Sequence, residues 1–534
     1  MKPIGQAPIV SNGYWASAPL VTDKATRRAD WVTRKRTVAR KRIPNRESRI
    51  RPTRRAPPSA AGAASGMSAL KYSLMRAVAY LTLVAALGLG LIFSRPAVAQ
   101  GPAIADAYRD TAARLTQAAT ADAFAWQRLA VLTDTYGNRI SGSENLTRAI
   151  AWAAETMRKD GLDNVRTDKV MVPKWVRGTE AAEIIDPPRH PLAVLGLGGT
   201  VPTPPGGLEA DVLVVSSFDE LRGRAADVKG RIVLYNAPFT NYGDSVSYRT
   251  AGARTAAQLG AVAVLVRAIG PVGLRTPHTG SVNYATDVTP IPAAAISSED
   301  AGRIVRLTAR GRRVRVRLSL DSRNEPDAES ANVVGEIKGR ERPEEIVLLG
   351  GHIDSWDVGA GASDDGVGCI ITWEALRLMK KLGLQPRRTV RLVLWTNEEN
   401  GLRGANAYAE KYAAQAGNHI FALESDSGVF WPSLLGFSGS ARARQVMQDV
   451  VTLLKPLGFD GLTAGGGGAD IGPIAQAGNV PTMAYIGEPG RYFTIHHSAA
   501  DTVERIAPED VSRAAAAIAI VTYVVADMPE RLPR

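Results

Sequence analysis

The stretch from 346 to 426 constrains this chain more than any other. Three apolar runs in it, residues 346–349, 390–395 and 420–423, read as buried strands, and each opens into a polar segment. The first segment is Gly350-Gly351-His352-Ile353-Asp354-Ser355-Trp356-Asp357, continuing to Gly361-Ala362-Ser363-Asp364-Asp365-Gly366. The second is Trp395-Thr396-Asn397-Glu398-Glu399-Asn400-Gly401, and the third is Leu423-Glu424-Ser425-Asp426-Ser427-Gly428. Carboxylates and a histidine therefore gather where strands end, and in open α/β sheets the carboxyl ends of strands are where ligands bind. With His497 from near the C-terminus, the set becomes His, Asp, Glu, Asp, His. That is an oxygen and nitrogen donor set for two divalent cations, with no thiolate in it. A lone His-x-Asp or Glu-Glu pair is common on solvated loops; the conjunction of all of them at strand ends is what marks a site.

A chain of 534 residues with 45% hydrophobic content is expected to fold as two or three domains. Its net charge of +13 suggests a polyanion partner only until the charge is located. Residues 1–66 hold fifteen Lys or Arg against Asp23, Asp30 and Glu47, a balance of +12, so the remainder carries 13 − 12 = +1. The basic character belongs to a Pro-, Arg- and Ala-rich leader, and a nucleic-acid partner is not expected. After it, Lys71 and Arg76 precede an apolar run over residues 77–93, and Ala97-Val98-Ala99 closes the segment. Basic, apolar and small-residue parts in that order make residues 67–99 a secretory signal with cleavage after Ala99, which implies a secreted or periplasmic protein. A retained membrane anchor is the competing reading of the same run. The 66 residues ahead of it fit an over-extended translation start or a cytosolic tail.

Cys369 is the only cysteine, so no intramolecular disulfide forms. It lies in a helical pattern over residues 367–382 and reads as a buried, inert thiol, since no base accompanies it. Helices are predicted over 121–136 and 146–159. From about 190 to 320 the texture changes to Gly and Pro clusters, short Val-rich strands (210–215, 231–235, 261–266) and one helix-like segment (250–259). This reads as a β-rich insertion, with linkers near Pro187-Pro188 and Arg323-Asn324-Glu325-Pro326. Beyond the site, residues 441–457 read as helix, 463–470 as a Gly-rich loop, 480–486 as strand and 508–528 as a buried core helix.

Residues 121–533 resemble the co-catalytic di-zinc exopeptidase family, which also contains bacterial leucyl aminopeptidases. The likeness includes runs with no ligand in them: Arg139-Ile140-Ser141-Gly142-Ser143, Leu195-Gly196-Leu197-Gly198, residues 214–221 and Tyr523-Val524-Val525-Ala526-Asp527. The resemblance implies a zinc-exopeptidase (phosphorylase/hydrolase-like) α/β fold, a mixed sheet flanked by helices with an inserted protease-associated domain. The expected layout is 100–189 and 326–534 for the peptidase domain and 190–325 for the insertion. It also implies a homodimer, two Zn2+ per chain and a cis peptide between Asp364 and Asp365. By position, one zinc takes His352 and Asp426, the other Glu399 and His497, and Asp364 bridges both. Two cations held about 3.5–4 Å apart need such a shared carboxylate to offset their repulsion. Asp354, two residues after His352, can orient that ring, and Asp501, four residues after His497, can do likewise. His278 is either substrate-facing or a loop residue; His496 competes with His497, whose spacing to Asp501 favours it. His190 and His419 read as surface or packing residues.

Glu398 is left as the catalytic base, taking a proton from the attacking water and returning it to the leaving amine. The expected substrate is a short peptide, dipeptides foremost. An aminopeptidase on longer peptides is the enzymatic alternative, and no sequence feature settles which terminus is bound. A non-catalytic binding protein on the same fold is disfavoured, since every ligand and Glu398 are retained.

Overall fold

The computed structural model describes residues 104–534 except Pro187; the stretches read above as a basic leader and a secretory signal lie outside the described residues. Two eight-stranded sheets organise the chain. In the first, the parallel centre is Arg388–Trp395, Arg342–His352, His419–Ser425 and Thr482–Ile486, side by side in that order. Antiparallel strands complete both flanks: Arg323–Ile337 and Asp163–Val176 on one, Leu434–Ser438 on the other, with the short Thr463–Ala464 strand outermost. Val347 and Leu349 face one layer of helices, Ile346 and Leu348 the other, so the segment 346–349 is apolar at every position because both faces are covered there. Helix Val367–Lys381 packs on the first face beside the helix Pro508–Asp527, and Cys369 is buried there with its thiol pushed well up by burial. No described helix is long and apolar enough to cross a membrane.

The second sheet takes its strands from Glu180–Asp186 through Arg315–Leu320, with its own apolar layers on either face. Its first strand begins ten residues ahead of the boundary expected at 190, and residues 323–326, read as a linker, open the long Arg323–Ile337 strand. Pro326 is tolerated in that strand because the pairing register slips opposite it, between Val172 and Lys174. The single helix expected over 250–259 is two, Tyr242–Thr250 and Gly252–Ala257. Asn241 caps the first by accepting from Asp244 N, and Gly252 starts the second where a side chain would press on the Tyr235 ring, 2.8 Å from a Cβ built there. The helix expected over 441–457 is α-helical only over Ala441–Val451 and tightens to a 3₁₀ turn at Thr452–Leu457, where Pro456 removes a donor.

Candidate metal centre

His352 is the last residue of its strand, and its entry is prepared by two glycines. A side chain at Gly350 would strike Val393 O, and one at Gly351 would strike the Asp365 carboxylate. That carboxylate does local work: Oδ2 accepts from His352 N at 3.0 Å and Oδ1 from Gly368 N at 3.1 Å, tying the strand end to the following helix. The Asp364-Asp365 peptide is cis. His352 Nδ1 donates to the Asp354 carbonyl at 3.0 Å, which leaves the Nε2 lone pair facing inward. There it lies 3.2 Å from Asp364 Oδ1 and 3.4 Å from Asp426 Oδ1. The other Asp364 oxygen lies 3.1 Å from His497 Nε2, which is also 3.1 Å from Glu399 Oε2. His497 Nδ1 faces Thr279 O at 3.2 Å, the same tautomer as His352. All five expected ligands are thus brought together, with the Asp364 carboxylate spanning from one histidine to the other.

His352 Nε2 and Asp364 Oδ2 are buried and have no hydrogen-bond partner. Buried polar atoms left in that state are costly, and here they belong to donors converging on shared space, grouped as His352, Asp364 and Glu399 and as Asp364, His496 and His497. A divalent cation satisfies them, and the imidazole and carboxylate chemistry suits zinc. From the protein's own groups alone, burial pushes Glu398 up to about 8, helped by the charges of Asp426, Asp364 and Asp354. Glu399 is raised well above its ordinary range, again by burial first. Burial raises Asp364 too, but the His352 and His497 rings beside it pull it well below.

Asp354 lies against the His352 ring, with its Oδ1 3.8 Å from Nδ1, and takes a further role, while Asp501 stands elsewhere than expected. Asp354 meets His352 through its backbone carbonyl; its carboxylate accepts from Glu398 N at 3.1 Å, Glu399 N at 3.4 Å and Ser141 Oγ at 3.3 Å. It therefore seats the Glu398-Glu399 turn. Asp501 does not reach His497, because the Ser498-to-Asp501 turn aims it at the bridging loop, where it accepts from Ser363 N at 2.7 Å and Asp364 N at 3.0 Å. His496 stacks on His497 at 3.6 Å and its Nε2 is 3.4 Å from Asp364 Oδ2. His278 is 2% exposed, packed beside the pair, and burial holds its pKa down to about 3. His419 is a packing residue against Tyr408, and His190 lies against Asp300.

Sequence reasoning missed Arg139. Fully buried, it donates to the carbonyls of Ile353, Gly137, Ala360 and Gly361 at 2.7–2.9 Å, stitching the His352 segment to the Asp364 loop. Its only sequence signal was its place in Arg139-Ile140-Ser141-Gly142-Ser143. Arg139→Ala strands those carbonyls and is expected to cost more than about 3 kcal/mol of unfolding free energy in urea denaturation, whereas a cost below about 1 kcal/mol contradicts the role.

The model of peptidase family M28 matches residues 332–522. Carboxypeptidase Q of Bos taurus is 47% identical over 409 residues, covering 77% of this chain and 86% of that protein; carboxypeptidase Q of Mus musculus is 46% identical over the same length. The crystal structure of a peptidase M28 precursor from Shewanella amazonensis SB2B superposes with a TM-score of 0.78 at 34% identity, covering 80% of this chain and 99% of that one. A zinc aminopeptidase from Bacillus subtilis, at 22% identity and a TM-score of 0.58, shares the fold. At the identity and coverage of the carboxypeptidase Q relatives, the chain belongs to peptidase family M28, as a metallopeptidase.

Proposed function

We propose that this chain is an exported di-zinc exopeptidase that hydrolyses short peptides, dipeptides foremost, in the carboxypeptidase sense its relatives' name carries. The observation that carries the reading is the Asp364 carboxylate, placed between His352 and His497 with Glu398 beside it. His352 and Asp426 would hold one ion and Glu399 and His497 the other, with Asp364 common to both. Two zinc ions, when bound, supply Lewis-acid polarisation of the scissile carbonyl and acidify a water. Glu398 would take the proton of the attacking water and pass it to the leaving amine, from a position enclosed among Asp354, Asp364 and Asp426. The Asp354 carboxylate, accepting from Glu398 N, keeps that side chain turned to the site while Glu399 faces His497.

Hydrolysis of a panel of free and end-blocked dipeptides tests the reading. Free dipeptides are expected to be cleaved and their C-terminal amides poorly. Cleavage of amides and longer peptides with an absolute need for a free amine favours an aminopeptidase, and no cleavage of any member returns the binding-protein reading.

The rest of the proposal concerns organisation. The second sheet's lobe is an inserted protease-associated domain, supported by its separate apolar layers. The assembly is a homodimer, which the mass in solution checks. The mature chain begins near Gln100 outside the cytoplasm, on the strength of the signal-like segment ahead of it. N-terminal sequencing of exported protein is expected to find that start; residues upstream of Phe93 in the mature protein contradict it and favour an anchor.

A further inference from the structure

Arg177 stands where the chain crosses from one sheet to the other, just past the strand Asp163–Val176 and just before Glu180 opens the second sheet. The crossing is enclosed, with 12% of the side chain exposed. Nε and Nη2 grip the Asp357 carboxylate at 2.8 and 2.6 Å. Nη1 donates to Gly196 O at 2.6 Å and to Glu180 Oε1 at 3.1 Å, and Nη2 also reaches Thr279 Oγ1 at 3.4 Å. Asp357 belongs to the loop after His352, whereas Gly196 and Thr279 belong to the second sheet's lobe. One side chain thus ties the two lobes together, and a two-pronged guanidinium–carboxylate pair fixes direction as well as distance.

The tied segments carry the supports of two metal-site residues. Beside Asp357, Trp356 donates its backbone N–H to Glu399 Oε1 at 3.1 Å, and its ring stands edge-on to the His497 ring with centroids 5.7 Å apart. Gly198 of the second lobe lies against that indole, since a Cβ built there would come within 2.0 Å of the ring. Thr279 holds His497 through its main chain: its N–H donates to His497 O at 2.9 Å, and its carbonyl faces His497 Nδ1 at 3.2 Å. The Thr279 hydroxyl donates to Gly196 O at 2.7 Å, the carbonyl that Arg177 also uses. Glu399 and His497 are therefore both held by segments that Arg177 grips. At the other pole His352 is held by the Asp354 carbonyl and the Asp365 carboxylate, and among the described residues neither of these bonds to Arg177.

We infer that Arg177 is a positioning residue for one of the two metal positions: from the seam between the sheets, through Asp357 and Thr279, it sets the direction in which Glu399 and His497 present their donor atoms. An ion pair that only fastened the lobes would have no need to meet the supports of both ligands of one pole. The second sheet's lobe is then part of the metal centre, because half of what Arg177 grips belongs to it. Groups that orient ligands in this way set metal affinity without touching the ion.

This rests on the two-ion reading, and the test tells the two apart. Zinc affinity is measured by competition with a chelating indicator. The wild type is expected to take up two ions, and Arg177→Met to weaken one of them by about 10- to 100-fold while the other stays within about threefold. Arg177→Lys keeps the charge for Asp357 and Glu180 but loses the two-pronged grip, so it falls between, and it carries the test if the methionine variant does not fold. The pole is identified by repeating Arg177→Met on two backgrounds: with His352→Ala the zinc that remains is expected to weaken by the same factor, and with His497→Ala it is not. Arg388→Met breaks a buried pair with Glu345 at the far end of the strand Arg388–Trp395; it controls for lost stability and is expected to leave both affinities unchanged. Equal weakening of both ions, weakening of neither, or the same loss in Arg388→Met each overturns the assignment by showing a purely structural fastening. A wild type that takes up one ion or none overturns the two-ion reading itself, and the assignment with it.

Discussion

Glu398→Gln is expected to leave fold and metal content in place while turnover falls by at least about 10² to 10⁴, the range that general acid–base catalysis supplies. The change keeps size and shape but removes the ability to accept a proton. Glu398 and Glu399 are adjacent, yet they serve different ends. Just before them Asn397 adopts φ 67° and turns the chain off the strand, and the Asp354 carboxylate accepts from both following backbone N–H groups. The Glu399 carboxylate is then committed, with Oε2 3.1 Å from His497 Nε2 and Oε1 accepting from Trp356 N at 3.1 Å. The Glu398 carboxylate makes no such bonds and feels the site mainly through burial and the charges around it. Glu399→Gln is therefore expected to lower zinc content along with rate. Near-normal turnover in Glu398→Gln, with both metals kept in Glu399→Gln, means the two roles are reversed.

Asp364→Ala is expected to abolish activity and to empty both metal positions, whereas His352→Ala or His497→Ala weakens mainly one. The difference follows from geometry: Asp364 Oδ1 faces His352 and Oδ2 faces His497, so only this carboxylate belongs to both poles. Its position is fixed from behind by Asp501, through Ser363 N and Asp364 N, and by Arg139 through Ala360 O and Gly361 O. Elemental analysis of the three variants reads the result. One metal retained in Asp364→Ala contradicts a shared ligand.

The parallel centre of the first sheet was legible because strands covered on both faces are mostly apolar, as residues 346–349 and 420–423 are throughout and 390–395 are apart from Arg391, which is buried in a pair with Glu336. His352, Glu399 and Asp426 stood out because each comes within a few residues of such a run, whereas Asp364 and His497 were assigned by the family resemblance. The long Asp163–Val176 strand was not, since it flanks the sheet and buries only Val172 and Trp175, leaving no apolar run to read. Nor were the groups that position the ligands. Arg139 meets Ile353 across 214 residues and Arg249 meets His497 across 248, distances over which spacing carries no signal. Asp354 and Asp501 were placed near the site by their neighbours in sequence, but what each carboxylate accepts from depends on turns, at 397 and at 498–501, that only the folded chain defines.

The central claim is that catalysis depends on a pair of ions shared through Asp364. The direct measurement is to strip the purified mature protein with a chelator, return zinc stepwise, and follow hydrolysis of a free dipeptide together with bound metal. The account predicts no hydrolysis without metal and full activity at two zinc ions per chain, reached by the wild type and not by Asp364→Ala. Full hydrolysis by protein that elemental analysis finds free of metal contradicts it.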